Sequence, residues 1–132
     1  MFIVADTKQK GRGVFATKRF LKGEVIERAP VIVIPAEEVK LIDRTILTNY
    51  YYDWENQTAA IACSWMSLIN HSYQPNTIYV KKFSERIIEC IVFHDIQVGE
   101  EITINYNGSP ENQSPIWFDV VDEISSIILP TE

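Results

Sequence analysis

Several features that would assign a chain of 132 residues to a functional class at once are scarce or missing here. Only two cysteines are present, so neither a disulfide framework nor a cysteine-rich zinc site is expected. No apolar run approaches the roughly 20 residues that span a bilayer, and the N-terminus lacks a secretory signal pattern. Basic residues are also few, because 12 Lys and Arg face 18 Asp and Glu, for a net charge of −6. General binding to nucleic acid is therefore disfavoured.

The length and composition predict one globular domain over residues 1–132, with a core over residues 1–108 and a closing segment over residues 109–132. A domain of this size buries roughly two-thirds of its unfolded surface and needs neither metal nor disulfide. Cys63 and Cys90 both lie in apolar runs, so we expect buried thiols and a reducing, cytoplasmic setting, with a single disulfide as the less favoured alternative. A monomer or a homodimer is expected.

The local patterns predict a mainly β fold with a minor α component. Pro30 divides a β-branched run over residues 24–34, which indicates two short strands or an edge strand. A helix is expected over residues 36–46, a hairpin over 76–82 and 86–93, and a strand over 101–106. Apolar residues at helical spacing after Pro115 predict a terminal helix from about 115 to 128.

Several familiar sites can be set aside. The Gly11-Arg-Gly13 turn lacks the third glycine and the following helix of a dinucleotide site, and no phosphate-binding loop is present. The two histidines and two cysteines do not have the spacing of metal ligands, so no metal is expected. Glu100 and Glu101 could form an acid/base pair, but a solvated turn is the more common explanation for adjacent carboxylates.

Four segments, in order, resemble the motifs of the SET-domain protein lysine methyltransferases. They are Gly11-Arg-Gly-Val-Phe-Ala, Gly23-Glu-Val-Ile-Glu, Asn70-His-Ser-x-x-Pro-Asn76 and Gly99-Glu-Glu-Ile-Thr-x-x-Tyr106. The resemblance covers residues 10 to about 118. It implies a β-clip of several small sheets, with a knot-like active site where residues 70–76 meet the chain near Tyr106.

The resemblance also implies a cofactor, S-adenosylmethionine, and residues that hold it. The segment Lys10, Gly11, Arg12 and Gly13 would contact its methionine part, and Asn70 its amino-acid portion. His71 would meet the adenine through its backbone, with Trp117 or Phe118 covering that ring.

In the family pattern Tyr106 matches the active-site tyrosine, beside both the cofactor methyl group and the target amine. Tyr79 matches the position that tunes the number of methyl groups, and a tyrosine there implies mono- or dimethylation. Tyr51 or Tyr52 would line the lysine channel. These roles suit the chemistry, because in-line methyl transfer needs an aligned, neutral amine and an environment without water.

The chain departs from many relatives at two points. Tyr73 replaces a frequent cysteine, and no cysteine cluster follows Tyr106, so the zinc-bearing C-terminal module is missing. Asn107-Gly108 stands where some relatives carry a second tyrosine. The expected substrate is a basic, lysine-containing protein or peptide. The alternative is a catalytically inactive module of the same fold that binds a peptide or the cofactor.

Overall fold

A computed structural model of the chain describes residues 1–118, 120 and 125–129. In that part of the chain, strands dominate and form two sheets, which confirms the mainly β prediction. The strands are β1 (Phe2–Asp6), β2 (Arg12–Ala16), β3 (Val25–Ile34), β4 (Tyr52–Asp53), β5 (Ala59–Ala62), β6 (Asn70–His71), β7 (Thr77–Lys82), β8 (Ile87–Val92) and β9 (Glu101–Ile104). The helical elements are α1 (Ala36–Ile42) and short 3₁₀ helices over Ile46–Asn49, Glu55–Gln57 and Trp65–Ser67.

The first sheet has the strand order β1-β2-β9-β6. Neighbouring strands are antiparallel except for β6, which runs parallel to β9 with Asn70 opposite Thr103. Strand β2 carries the glycine motif, β6 begins the segment from Asn70 to Asn76, and β9 follows Gly99. Three of the four motifs therefore lie side by side in this sheet, although they are far apart in sequence.

The second sheet has the order β4-β5-β3-β8-β7, and its central strand β3 changes partner at Pro30. Residues up to Pro30 pair with β8, and residues from Val31 pair with β5. Pro30 has no N–H to donate, but its carbonyl oxygen accepts a hydrogen bond from the Cys63 N–H at 2.9 Å. The predictions of two strands and of an edge position are both wrong, because proline is accommodated where the pairing switches.

The second sheet is strongly curved. Tyr52 lies in β4 and Tyr79 in β7, at opposite ends of the strand order, yet their ring centroids are 5.3 Å apart at an interplanar angle of 63°. An open flat sheet of five strands would separate these edges by several times the roughly 4.8 Å spacing between neighbours. The two edge strands therefore face each other across the site.

In the part of the chain that the structure describes, two hydrophobic clusters form the core. One includes Val14 and Ile102 from the first sheet, and the other includes Ala29 and Ile88 from the second. Four partly buried residues contact both clusters: Ile26, Tyr52, Trp65 and Tyr79. Burying one large side chain contributes about 1.5–3 kcal/mol, so these shared residues join the sheets and are held by both.

The closing segment does not form the predicted helix at the residues that the structure describes there, 115–118, 120 and 125–128. Instead, Ser126 forms an antiparallel bridge with Glu100, and the Ile127 N–H donates to the Gly99 carbonyl oxygen at 2.8 Å. Extended pairing satisfies backbone groups that a helix would otherwise satisfy internally. The other residues of the predicted helix, 119 and 121–124, lie outside the described residues.

Two smaller expectations also need correction. Helix α1 ends at Ile42 rather than at residue 46, because Thr45 starts a new 3₁₀ helix and its hydroxyl accepts from the Leu47 N–H at 3.2 Å. Cys90 is buried as expected, but Cys63 is exposed because it lies just beyond the end of β5; both thiols are free. No helix in the described part of the chain is long and apolar enough to cross a membrane.

Candidate active site

A cavity of about 800 Å³ lies between the facing edges of the second sheet. Six aromatic residues line it: Tyr50, Tyr51, Tyr52, Tyr79, Tyr106 and Trp117. Ligand sites of this size are typically apolar with a few convergent polar groups. The sequence-predicted channel residues Tyr51, Tyr52 and Tyr79 are thus brought together on one cavity.

A second, smaller cavity of about 110 Å³ lies beside the first. It is lined by Lys10, Gly11, Arg12 and Asn70, which the sequence predicts as cofactor-binding residues. Residues that line both cavities are Tyr50, Ser67, Ile69 and Tyr106. Tyr106 therefore stands at the junction of the two spaces.

Tyr106 is held at both its backbone and its side chain. Its hydroxyl donates to the Ile69 carbonyl oxygen at 2.5 Å, and its backbone N–H donates to Nδ1 of His71 at 2.9 Å. Its ring stacks on Trp117 with centroids 5.7 Å apart and an angle of 14°. The phenol cannot rotate freely, so its oxygen has a defined position between the cavities.

Tyr52 and Tyr79 place two further phenols beside Tyr106. The Tyr52 hydroxyl donates to the Met66 carbonyl oxygen at 2.6 Å. The Tyr79 hydroxyl lies 3.5 Å from the Tyr106 carbonyl oxygen, which is a long and weak hydrogen bond. Of the two hydroxyls, that of Tyr79 forms the weaker hydrogen bond within the protein.

All three phenols stay protonated at neutral pH. Burial is the main cause that raises the pKa of Tyr106, and the Glu101 carboxylate adds to it. Burial also raises the pKa of Tyr79, with Asp53 contributing, and the pKa of Tyr52, with the other two tyrosines contributing. The three hydroxyls can therefore donate hydrogen bonds but cannot act as bases near pH 7.

Tyr51 lines the cavity, but its hydroxyl is directed to the end of α1. That hydroxyl donates to Oδ1 of Asp43 at 2.9 Å, and burial together with the Asp43 carboxylate raises the pKa of Tyr51 to about 12. Asp53 and Lys81 add opposite charges to the same cavity wall. Burial lowers the pKa of Lys81, and Asp53 opposes that effect.

The polar residues of the segment from Asn70 to Asn76 are largely used to join chain segments. The Asn76 side chain donates to the Glu101 carbonyl oxygen at 2.8 Å and accepts from the Thr103 N–H at 2.9 Å. Because Nδ1 of His71 accepts from Tyr106, the neutral ring carries its proton on Nε2, which is buried without a partner among the described residues. Burial lowers the pKa of His71, so the neutral ring is favoured.

Trp117 and Phe118 lie on the outer side of this arrangement. Trp117 is 63% exposed, lines the large cavity, and donates from Nε1 to Oδ1 of Asn49 at 3.3 Å. Phe118 is 42% exposed, and its ring centroid is 6.3 Å from that of His71 and 6.0 Å from that of Tyr106. Both rings are near Tyr106, but neither lines the small cavity.

Sequence reasoning missed Glu101. The expected solvated turn is wrong for this residue, because its side chain is only 2% exposed and contacts both Lys10 and Asn70. All four residues of β9 are buried, so the strand does not alternate between a buried and a solvated face. The sequence of β9 alternates polar and apolar residues (Glu101, Ile102, Thr103, Ile104), which is typical of a half-solvated strand, so no local sequence signal indicated that Glu101 is buried.

Comparison with known proteins agrees with this geometry. The family model of the SET domain matches residues 11–107. The chain is a SET-domain protein. The match includes both motif segments that supply the junction at Tyr106, and it covers strands β2 to β9.

Individual relatives point the same way. The chain is 30% identical over 130 residues to a histone-lysine N-methyltransferase of Schizosaccharomyces pombe, described as H3 lysine-37 specific, covering 98% of this chain and 84% of that protein. A solved Plasmodium falciparum structure, assigned as a histone methyltransferase, matches with a TM-score of 0.67 and 26% identity over 82% of this chain and 94% of that one.

A chain of the Chaetomium thermophilum Polycomb Repressive Complex 2 shares the fold, with a TM-score of 0.68 and 20% identity, over 80% of this SET-domain protein and 16% of that chain. Family membership and the fission-yeast relative support protein-lysine methyltransferase activity.

Proposed function

We propose that this protein is an S-adenosylmethionine-dependent protein-lysine N-methyltransferase that adds one or two methyl groups to a lysine in a basic segment. The observation that carries the proposal is the Tyr106 hydroxyl, fixed at the junction of two cavities of unequal size. A transferase needs two substrates to meet at one point from separate sites, and this junction supplies such a point.

The small cavity fits the charged end of the cofactor. Lys10 offers a cation and Asn70 an amide, and the small volume of about 110 Å³ suits an amino-acid end better than a nucleoside. Residues 10–13, Asn70, His71 and Tyr106 would hold the cofactor, and Trp117 and Phe118 offer exposed rings near by. When bound, S-adenosylmethionine supplies a methyl group on a positively charged sulfonium.

The chain's own residues position the amine and keep it neutral. Burial in the tyrosine-lined cavity disfavours an ammonium, so the target lysine loses its proton more easily. The protonated phenols cannot take that proton, so it leaves to solvent before transfer. The Ile69 carbonyl and the Tyr106 hydroxyl orient the amine, and the aromatic faces tolerate the methylated cation.

Tyr79 supports a limit of one or two methyl groups. Tyr79 lines the large cavity, and its hydroxyl contacts the Tyr106 carbonyl oxygen at a long 3.5 Å. A hydroxyl in that position occupies space and hydrogen-bonds to the lysine amine. Each further transfer requires the methylated amine to rotate until its nitrogen lone pair points at the cofactor methyl group, and the hydroxyl restricts that rotation. The tyrosine therefore disfavours the third transfer.

The substrate segment is expected to lie extended between β4 and β7. These are the edge strands of the second sheet and they flank the large cavity, so an added strand can pair with their free backbone groups. The net charge of −6 favours approach of a basic segment. Since the fission-yeast relative is named for lysine-37 of histone H3, histone tails are the first substrates to test.

The test combines cofactor binding with methyl transfer. Calorimetry should show S-adenosylmethionine binding at one site, and tritiated methyl groups should be incorporated into core histones or an H3 peptide containing lysine-37. A matched peptide with arginine at that lysine is the control. Absence of cofactor binding contradicts the proposal, and binding without label transfer to histones or to a whole-cell lysate favours an inactive binding module.

A further inference from the structure

Glu101 keeps a carboxylate in an interior position. It begins β9, and its side chain is only 2% exposed. A buried charge strongly destabilises a fold unless it is paired and hydrogen-bonded. The groups that contact the Glu101 carboxylate must therefore stabilise its charge.

Two distant segments, residues 10–13 and the strand that begins at Asn70, meet at the Glu101 carboxylate. Oε1 forms an ion pair with Nζ of Lys10, whose side chain is 10% exposed. Oε2 accepts from Nδ2 of Asn70 at 2.7 Å. At Gly13, a Cβ atom would clash with Oε2 and lie 3.0 Å from Nδ2 of Asn70, so only glycine leaves room for this arrangement.

The contact with Glu101 determines which group Asn70 presents to the small cavity. Nδ2 donates to Oε2 of Glu101 and also to the Arg12 carbonyl oxygen at 3.1 Å, so both amide hydrogens are used inside the protein. Among the described residues, no hydrogen bond uses Oδ1 of Asn70. The amide is therefore fixed with an acceptor available for a ligand's ammonium group.

Lys10 is oriented by the same carboxylate. Lys10 and Asn70 both line the small cavity, whereas Glu101 is not part of its lining. The cavity therefore presents a cation suited to a carboxylate next to an acceptor suited to an ammonium, and an α-amino acid carries both groups.

We propose that Glu101 is a positioning residue, which orients Asn70 and Lys10 to select the zwitterionic amino-acid end of the cofactor. This inference rests on the proposed function, because it specifies how the same site recognises S-adenosylmethionine. Glu101 acts through its two neighbours and does not touch the ligand. Loss of its charge should weaken recognition of the amino-acid end more than recognition of the nucleoside.

The test compares two non-reactive ligands by calorimetry. S-adenosylhomocysteine has the amino-acid end, and 5′-methylthioadenosine lacks it. In Glu101→Gln, affinity for S-adenosylhomocysteine should fall at least about tenfold, the scale of one charge-assisted contact. Affinity for 5′-methylthioadenosine should stay within about twofold. The matched control Glu100→Gln makes the same charge change at the neighbouring position and should leave both affinities within about twofold.

A second variant keeps the inference testable if Glu101→Gln folds poorly by circular dichroism. Lys10→Met should also reduce the preference for S-adenosylhomocysteine about tenfold, with the exposed Lys22→Met as its control. An equal loss of affinity for both ligands would indicate a purely structural role and overturn the inference. An unchanged preference for S-adenosylhomocysteine over 5′-methylthioadenosine would also overturn it. If the unmodified protein binds neither ligand, the proposed function fails together with this inference.

Discussion

The Tyr106 phenol differs from a general base in both its hydrogen bonding and its ionisation. Its hydroxyl donates to the Ile69 carbonyl oxygen at 2.5 Å, and burial with the adjacent Glu101 carboxylate raises its pKa. A protonated, fixed phenol contributes direction and exclusion of water. At the scale of single residues, these features fit the proposed role, in which Tyr106 positions an amine rather than exchanges protons with it.

Tyr79 provides a test of product multiplicity. In Tyr79→Phe, the product distribution should shift toward trimethyllysine, because loss of the hydroxyl opens space beside the amine. Stability should change by less than about 1 kcal/mol, since only a long hydrogen bond to the Tyr106 carbonyl is lost. Mass spectrometry of the methylated peptide measures the distribution. The control Tyr73→Phe removes the hydroxyl of a residue that lines neither cavity, and it should leave the product distribution unchanged.

His71 predicts a pH dependence of stability. Burial lowers the pKa of His71 in the folded protein below its usual 6.5, so the unfolded chain binds more protons between those two values. Stability should therefore fall as the pH drops below about 6.5. His71→Asn keeps an acceptor for the Tyr106 N–H but removes the titrating ring, so its stability should depend less on pH.

Urea denaturation at pH 7.5 and pH 5.5 measures this difference. The exposed His94→Asn is the matched control and should retain the dependence of the unmodified protein. An equal loss of stability on acidification in His71→Asn and in the unmodified protein would remove His71 as the cause.

Among the elements, β9 is the one that sequence patterns describe least well. Its four residues are all buried, with β2 and β6 on either side. The alternation of residues along the strand therefore does not indicate whether Glu100 or Glu101 is solvated. The hairpin of β7 and β8 was predictable within one or two residues, because both strands and their turn are contiguous. The closing segment was not predictable, because its partner at Gly99 is distant and helical spacing of apolar residues does not reveal such a partner.

Gly99→Ala tests the docking of the closing segment. Gly99 has φ +87°, and a Cβ there would collide with the Ile127 carbonyl oxygen. Strain and displacement of the segment should together lower the free energy of unfolding by about 2–3 kcal/mol. Gly23→Ala is the matched control, because Gly23 has φ +95° but no atom of the described residues lies within 4 Å of the added methyl group.

Chemical denaturation of the two variants separates backbone strain from the contact. The loss in Gly99→Ala should exceed that in Gly23→Ala by at least about 1 kcal/mol. Equal losses would show that the segment containing Ile127 contributes little to stability.

At the scale of the whole molecule, the site lies where two sheets share their core residues. Tyr52 and Tyr79 pack against both hydrophobic clusters and also line the large cavity, so fold stability and site geometry depend on the same side chains. The four motifs indicated the family and the grouping of residues near Tyr106. The curvature of the second sheet and the interior position of Glu101 depend on distant contacts, which short sequence segments do not record.

The most direct test of the central claim is a paired measurement on Tyr106→Phe. Removing the hydroxyl should lower kcat for methyl transfer at least about 100-fold, because a group that acts mainly in the transition state is lost. Affinity for S-adenosylhomocysteine should stay within about threefold. Methyl transfer at the rate of the unmodified protein would contradict the role assigned to Tyr106 at the junction of the two cavities.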